Sequence, residues 1–309
     1  MTPPLPAPPR PGTLGVWWAA IRPRTLGMAL APVMLGTALA VADGVELAWA
    51  VLFATAACAL LIQIGTNLYN DAVDFERGTD RPERLGPLRV TLAGWASAAE
   101  VKRGALLCLL LALLLGAWLC VVGGGLILAI GLASLVAGWA YSGGPRPISH
   151  SPLGELFVLL FFGVFAVLGS HWLQSRAVGH LDLLAGLAVG APAAAVLLVN
   201  NYRDLAGDLR AGRRTLAAVL GAPRARRAFA LLVLLPIPAL VLMAASGVPG
   251  PSSASSARPR WRRWCGASVA PRAVLRSTRC WSTPRVPARA PGWPPRRASS
   301  SSPSFRSHR

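Results

Sequence analysis

Residues 67–80 read Asn67-Leu68-Tyr69-Asn70-Asp71-Ala72-Val73-Asp74-Phe75-Glu76-Arg77-Gly78-Thr79-Asp80, and they close the apolar run from Ala50 to Ile64. An Asp near the centre of a membrane helix costs about 2.5–3.5 kcal/mol. Several acidic residues at the end of such a segment therefore indicate either a functional site or the solvated polar end of a helix. We call residues 67–80 the first acidic cluster.

The spacing of the polar residues in this cluster favours a site. Asn67, Asp71 and Asp74 lie at positions i, i+4 and i+7, so a continuous helix would place them on one face. Gly78 is expected to end that helix and to turn Asp80 back toward the same place. Converging oxygen ligands of this kind suit Mg²⁺. We therefore predict a metal site made by Asn67, Asp71, Asp74 and Asp80.

A second acidic cluster, Asn200-Asn201-Tyr202-Arg203-Asp204-Leu205-Ala206-Gly207-Asp208, follows the apolar run from Leu183 to Val199. Asp204 and Asp208 are four residues apart and share a helical face. The two clusters thus form an internal repeat, each at the end of a segment long enough to enter a membrane. Facing carboxylates could hold two or more Mg²⁺ ions bridged by a diphosphate. This interpretation adds Asp204 and Asp208 to the predicted metal ligands.

The composition predicts an all-α, polytopic membrane bundle. Hydrophobic residues make up 54% of the chain and charged residues 14%. We expect a disordered tail over residues 1–15, without a cleaved signal peptide, and a transmembrane domain over residues 16–247. The seven predicted spans are Leu26–Val41, Trp49–Tyr69, Ala105–Val122, Leu126–Tyr141, Leu153–Leu173, Leu181–Val199 and Ala228–Ala245.

The charges of the loops predict how the spans are oriented. Lys and Arg concentrate before the first span and after the second, fourth and sixth, whereas the opposite side carries only Arg176. An excess of Lys and Arg marks the cytoplasmic side. We therefore expect an integral protein of the cytoplasmic membrane with both acidic clusters facing the cytoplasm. On the other side, Asp43, Glu46 and Asp182 form no comparable cluster in sequence, and we assign no catalytic role to His171 or His180.

Residues 248–309 differ from the rest of the chain. They hold thirteen arginines and no Lys, Asp or Glu, so they account for most of the net charge of +19. They are also rich in Ser and Pro, which predicts an unstructured basic tail. Their Trp and Cys content suggests a second explanation, a frameshift in GC-rich coding DNA. The remaining basic residues track membrane sidedness, so we predict no nucleic-acid partner.

Several ordered motifs carry a family resemblance. From about Trp17 to Ser246 the chain resembles the UbiA-type intramembrane prenyltransferases, and most of all their 1,4-dihydroxy-2-naphthoate polyprenyltransferase branch. Arg213 stands where the family pattern usually has Lys. Besides the two acidic clusters, the motifs are Arg22-Pro23-Arg24-Thr25-Leu26, Gly86-Pro87-Leu88-Arg89, Gly143-Gly144-Pro145-Arg146-Pro147 and Gly212-Arg213-Arg214-Thr215-Leu216.

This resemblance implies a fold, a reaction and a set of site residues. The fold would have nine helices around a central cavity. The reaction would transfer a polyprenyl group from its diphosphate to an aromatic acid, with Mg²⁺ as cofactor and loss of CO₂, giving demethylmenaquinone. The catalytic acids would be Asp71, Asp74, Asp204 and Asp208, and the diphosphate would contact Arg22, Arg77, Arg84, Arg146 and Arg203.

Two alternatives remain open from the sequence. The acceptor could be 4-hydroxybenzoate, homogentisate or a haem instead of a naphthoate. The chain could also be an ion transporter, because acidic residues within membrane segments mark ion paths. We predict substrates and the lipid bilayer as partners, and the sequence predicts neither an oligomeric state nor an isoprenoid length.

Overall fold

The structure is a computed structural model that describes residues 9–78, 89–142, 147–210 and 212–246. All regular secondary structure in these ranges is helical, which confirms the predicted all-α bundle. A 3-10 turn, Ile148–His150, joins two of the helices. In chain order the helices are α1 (Thr13–Ile21), α2 (Pro23–Ala42), α3 (Trp49–Glu76), α4 (Ala98–Gly123), α5 (Gly125–Ser142), α6 (Gly154–Ser175), α7 (His180–Arg203), α8 (Leu205–Arg210), α9 (Leu216–Leu234) and α10 (Pro236–Ala245).

The number of membrane-length helices differs from the prediction. Within the described ranges, six helices are long and apolar enough to cross a membrane, with α9 and α10 counted as one. The fourth predicted span corresponds to α5, in which the described apolar stretch is Gly125–Gly138. All 18 residues of α5 together measure about 27 Å, slightly less than the hydrocarbon core of about 30 Å. The last span begins at Leu216 instead of Ala228.

Three predicted site residues and the basic tail cannot be placed in this fold. Asp80, Arg84 and Arg146 lie outside the described residues, as do residues 248–309. The roles predicted for them, and the frameshift hypothesis, remain predictions.

Small residues allow the central helices to approach closely. A Cβ atom at Gly163 of α6 would lie 2.4 Å from the carbonyl oxygen of Gly186 in α7, and one at Gly36 of α2 would lie 2.3 Å from the carbonyl oxygen of Val167. The α6 backbone widens into a π-helical turn over Leu160–Val164 at this crossing. Small residues at helix crossings let backbones approach closely inside a membrane. Helices α2, α6 and α7 therefore form a tightly packed centre.

The end of the bundle that carries both acidic clusters, here called the acidic end, is held by contacts between distant segments. Nδ2 of Asn67 in α3 donates to the carbonyl oxygen of Ile21, 3.0 Å away, where α1 meets α2. Nδ2 of Asn201 in α7 donates to Oε1 of Glu155 in α6 at 2.9 Å. The backbone N–H of Arg214 donates to the carbonyl oxygen of His150 at 2.9 Å. The first bond joins α3 to the bend between α1 and α2, and the second joins α7 to α6. The third joins the chain before α9 to the 3-10 turn.

A buried ionic cluster joins three helices at the opposite end. Nδ1 of His171 lies 2.6 Å from Oδ1 of Asp182, and Nε2 of His171 lies 3.0 Å from Oδ2 of Asp43. Oδ2 of Asp182 accepts from the backbone N–H of Gly179 at 2.7 Å, at the start of α7. The sequence prediction assigned His171 no catalytic role and did not foresee this contact. His171 and Asp43 are 128 residues apart in sequence, and folding brings them together.

Candidate active site

The first acidic cluster lies on the last turns of α3. The helix continues through the cluster to Glu76, and Gly78 has a left-handed φ of 62° that turns the chain away. Left-handed backbone favours glycine because it has no Cβ. The predicted continuous helix ending at Gly78 is confirmed.

Asp71 is held by the segment that follows the cluster. Its side chain is 1% exposed. Oδ2 accepts from the backbone N–H of Val90 at 3.2 Å, and Oδ1 accepts from the backbone N–H of Thr91 at 3.4 Å and from the Thr91 hydroxyl. Both oxygens of Asp71 thus fasten the chain at residues 90–91 to α3.

Asp74 faces two arginines from different parts of the chain. Nη2 of Arg89 donates to Oδ2 of Asp74 at 2.6 Å, and Nη1 of Arg89 donates to the carbonyl oxygen of Asn70 at 2.8 Å. Nη2 of Arg213 lies 4.0 Å from Oδ1 of Asp74. Arg89 is 6% exposed, so this ion pair is shielded from water on its basic side.

Asn67 faces a different neighbourhood from the two aspartates of its cluster. Its Nδ2 donates to Oγ1 of Thr25 at 2.9 Å as well as to Ile21, and its Oδ1 accepts from Nε2 of Gln63 at 3.4 Å. Thr25 in turn donates to the carbonyl oxygen of Arg22, which has a left-handed φ of 55°. The amide of Asn67 therefore supports the bend between α1 and α2 that carries Arg22.

The second acidic cluster contains a helix break. Helix α7 ends at Arg203, and Asp204 has φ −91° and ψ 7° before α8 begins. The backbone N–H of Asp208 still donates to the carbonyl oxygen of Asp204 at 3.0 Å, so the predicted i, i+4 relation is retained. The guanidinium of Arg203 binds the adjacent Asp204 through Nε at 3.0 Å and Nη2 at 2.9 Å.

One guanidinium connects the two acidic clusters. Nη1 of Arg213 lies 3.6 Å from Oδ1 of Asp208, and its Nη2 lies 4.0 Å from Oδ1 of Asp74. The two carboxylates come from segments more than 130 residues apart in sequence, and they face the same cation. This arrangement agrees with the hypothesis that the clusters face each other.

His150 borders the same group of charges. Burial, followed by repulsion from Arg213 and Arg77, holds the pKa of His150 below its ordinary value, and the charge of Asp74 opposes this shift. Burial disfavours the charged imidazolium, and neighbouring cations act in the same direction. The imidazole therefore stays neutral at pH 7 and adds no positive charge to the site.

The carboxylates of the two acidic clusters are the candidate ligands for a divalent cation. Within the described ranges, no three His, Cys, Asp or Glu side chains converge as a ready-made metal site. Asp74 and Asp208 nevertheless share a cation, the Arg213 guanidinium, and hard carboxylate oxygens are the ligands that Mg²⁺ prefers. The pair Asp74 and Asp208 therefore suits Mg²⁺, whereas Asp71 uses its oxygens on residues 90–91.

The predicted diphosphate-binding arginines that can be placed lie in three settings. Arg22 sits in the bend between α1 and α2, Arg77 follows the end of α3, and Arg203 ends α7 beside Asp204. Sequence reasoning missed the roles of Arg89 and Thr91 as partners of the first cluster. It noted Arg213 only as a departure from the family pattern. The motif Gly86-Pro87-Leu88-Arg89 was the available signal for Arg89, and nothing in the sequence pointed to Thr91.

Comparison with known proteins identifies the family of this chain. Residues 29–264 match the family model described as the UbiA prenyltransferase family, whose members generally use a divalent metal ion, Mg²⁺. A solved structure of digeranylgeranylglyceryl phosphate synthase is similar, with a TM-score of 0.53 and 16% sequence identity. That similarity covers 75% of this chain and 78% of the other, and it indicates a shared fold.

Curated relatives are more similar in sequence. The 1,4-dihydroxy-2-naphthoate octaprenyltransferase of Mycobacterium tuberculosis is 37% identical over 231 residues, which cover 74% of this chain and 78% of the relative. The protein of the same name from Escherichia coli is 37% identical and covers 71% and 72%. That of Mycobacterium leprae is 33% identical and covers 85% and 90%.

Proposed function

We propose that this chain, which belongs to the UbiA prenyltransferase family, transfers a polyprenyl group from its diphosphate to 1,4-dihydroxy-2-naphthoate. The new bond joins the allylic carbon to the ring carbon that bears the carboxylate. The allylic C–O bond breaks and releases diphosphate. The C–CO₂ bond then breaks, its electrons return to the ring, and the product is demethylmenaquinol, the hydroquinone form of demethylmenaquinone.

The observation that carries this proposal is the meeting of the two acidic clusters at Arg213. Its guanidinium lies 4.0 Å from Asp74 and 3.6 Å from Asp208. Metal ions held by such carboxylates would stabilise the negative charge of a diphosphate leaving group. The curated relatives that are 33–37% identical carry the name of this reaction, which supports the choice of acceptor.

This reaction gives a role to the charged side chains at the acidic end. Asp74, Asp204 and Asp208, with Asp80 from the sequence prediction, would hold Mg²⁺, which would neutralise the charge that develops on the departing diphosphate. Asn67 and Asp71 are also ligands in the sequence prediction, but in this structure their side chains bind Thr25 and residues 90–91. Arg77, Arg203 and Arg213 supply donors for phosphate oxygens. Asp71 keeps residues 90–91 in place, and through them positions Arg89 against Asp74.

The chain is an integral membrane protein, and we assign its acidic end to the cytoplasmic side of the cell membrane. The excess of Lys and Arg in the loops at that end supports this orientation. The ion-transporter alternative is less well supported, because the acidic clusters share one end of the bundle. The acidic residues of the other end bind His171 instead.

The test uses the purified full chain in detergent. With 1,4-dihydroxy-2-naphthoate, a polyprenyl diphosphate and Mg²⁺, we expect a product whose mass equals demethylmenaquinol, which air oxidises to demethylmenaquinone, and no product with a chelator. Asp208→Asn should lower the rate on the order of 100-fold. Glu100→Gln is the matched control, because Glu100 is an exposed capping residue of α4. Turnover of 4-hydroxybenzoate or homogentisate in preference to the naphthoate would reassign the acceptor.

We further propose that residues 16–247 form the prenyltransferase domain. The unstructured tail and its origin in a frameshift remain predictions for residues 248–309. Resequencing the gene tests them, since one alternative frame should encode two apolar segments of membrane length.

A further inference from the structure

Glu155 is a buried acid that the site described above does not use. It lies in the first turn of α6 and is 4% exposed. Its Oε1 accepts from Nδ2 of Asn201 at 2.9 Å, and the carboxylate also faces its own backbone N–H. Oε2 is buried and has no hydrogen-bond partner in the described part of the chain. Buried polar atoms are almost always hydrogen-bonded, so an unpaired carboxylate oxygen calls for an explanation.

The position of Glu155 links it to the acidic end. Asn201, its partner, lies three residues before Asp204 in the last turn of α7. The phenol of Tyr141, near the end of α5, interacts electrostatically with both Glu155 and Arg213. Arg213 in turn contacts Asp208 at 3.6 Å. Glu155 therefore borders the proposed diphosphate site without taking part in its ion pairs.

The chemistry of Oε2 restricts what it can bind. An ionised carboxylate oxygen accepts hydrogen bonds and cannot donate them, so it repels diphosphate oxygens. A neutral ligand that binds there must bring an O–H or N–H donor into a buried position. The proposed acceptor has such a donor, because a hydroxyl group stands beside the ring carbon that is prenylated. The Asn201 amide fixes the carboxylate and leaves Oε2 as the acceptor atom.

We infer that Oε2 of Glu155 accepts a hydrogen bond from this hydroxyl group and so positions and activates the aromatic acceptor. The inference rests on the proposed function. As the ring carbon bonds to the allylic carbon, the hydroxyl proton moves to Glu155 and the ring oxygen becomes a carbonyl. When CO₂ leaves, the electrons of the broken C–C bond return through the ring to this oxygen. The oxygen then takes the proton back, so no net proton is consumed.

The first experiment varies the ligand on the unaltered protein. Binding of 1,4-dihydroxy-2-naphthoate and of 4-hydroxy-2-naphthoate, which lacks the hydroxyl beside the carboxylate, is measured by calorimetry without prenyl diphosphate. We expect about tenfold weaker binding of 4-hydroxy-2-naphthoate, in line with the loss of one hydrogen bond to a charged group. Equal affinities would overturn the inference without any need for a variant that folds.

The second experiment varies the residue. Glu155→Gln should weaken binding of 1,4-dihydroxy-2-naphthoate about tenfold and leave that of 4-hydroxy-2-naphthoate unchanged. The KM for polyprenyl diphosphate and the half-saturating Mg²⁺ concentration should stay as in the parent chain. A change in the Mg²⁺ requirement with unchanged acceptor binding would overturn the inference and make Glu155 a metal ligand. Absence of naphthoate turnover by the parent chain would instead refute the proposed function.

Discussion

Arg89 and Asp74 form an ion pair that closes the first acidic cluster, with Nη2 of Arg89 2.6 Å from Oδ2 of Asp74. The guanidinium is buried, and its Nη1 also caps the carbonyl oxygen of Asn70. The pair joins residue 89 to the last turns of α3 and fixes the orientation of the Asp74 side chain. It therefore contributes both to stability and to the shape of the site.

Arg89→Gln should destabilise the protein and lower its activity. Breaking a buried ion pair by removing one partner costs about 3–5 kcal/mol, and Asp74 is partly exposed, so the lower end of that range is expected. Thermal unfolding in detergent measures this effect. Lys102→Gln is the control, because Lys102 binds Glu76 at the surface, where a pair contributes at most about 1 kcal/mol. Equal losses in the two variants would contradict the buried role of Arg89.

Arg213→Lys should lower the Mg²⁺ concentration that gives half-maximal activity. The forked guanidinium contacts Asp74 and Asp208 together, and it must release them when a metal ion binds. A lysine ammonium is a single point charge and holds fewer carboxylates at once. Losing one such contact costs up to about 1 kcal/mol, so the Mg²⁺ concentration at half-maximal activity should fall by up to about fivefold.

Titration of the initial rate with Mg²⁺ measures this shift in both proteins. Arg210→Lys provides the control, because Arg210 is an exposed basic residue at the end of α8. An unchanged or higher Mg²⁺ requirement in Arg213→Lys would show that Arg213 does not compete with the metal.

The sequence predicted the local features of the site well and the long-range ones poorly. The spacing of Asn67, Asp71 and Asp74 fixes one helical face, and Gly78 supplies the only residue type that ends the helix there without strain. These are properties of neighbouring residues. The contact between Arg213 and Asp74 depends instead on how α3 and the chain after α8 pack. No local pattern records that packing.

The contacts at the opposite end are long-range in the same way. His171, Asp43 and Asp182 occur singly in three apolar segments, so each resembles an isolated polar residue near a membrane surface. The crossing of α2, α6 and α7, made possible by their glycines, brings Asp182 to 2.6 Å and Asp43 to 3.0 Å from the His171 ring.

The two ends of the bundle should lie in different compartments. Each end has an exposed position that can be labelled after substitution by cysteine. Arg214 lies beside the acidic clusters, and Val178 lies between α6 and α7. In a chain whose five cysteines are replaced, Arg214→Cys should react with an impermeant maleimide only in inside-out vesicles. Val178→Cys should react in intact cells. Labelling of both positions from the same side would refute the proposed orientation.

His171→Ala should reduce stability without changing the chemistry of the acidic end. The substitution leaves Asp182, which is fully buried, and Asp43 without the imidazole that lies 2.6 Å and 3.0 Å from them. Uncompensated buried charge costs about 3–5 kcal/mol, so the unfolding temperature in detergent should fall by several degrees. His180→Ala, at an exposed position near the same end, should leave the unfolding temperature unchanged.

The KM values and the Mg²⁺ requirement of the folded His171→Ala variant should match those of the parent, because His171 lies at the end of α6 remote from Glu155. A normal unfolding temperature would mean that Asp43 and Asp182 find other partners. A changed Mg²⁺ requirement would mean that the two ends of the bundle are coupled through the crossing of α2, α6 and α7.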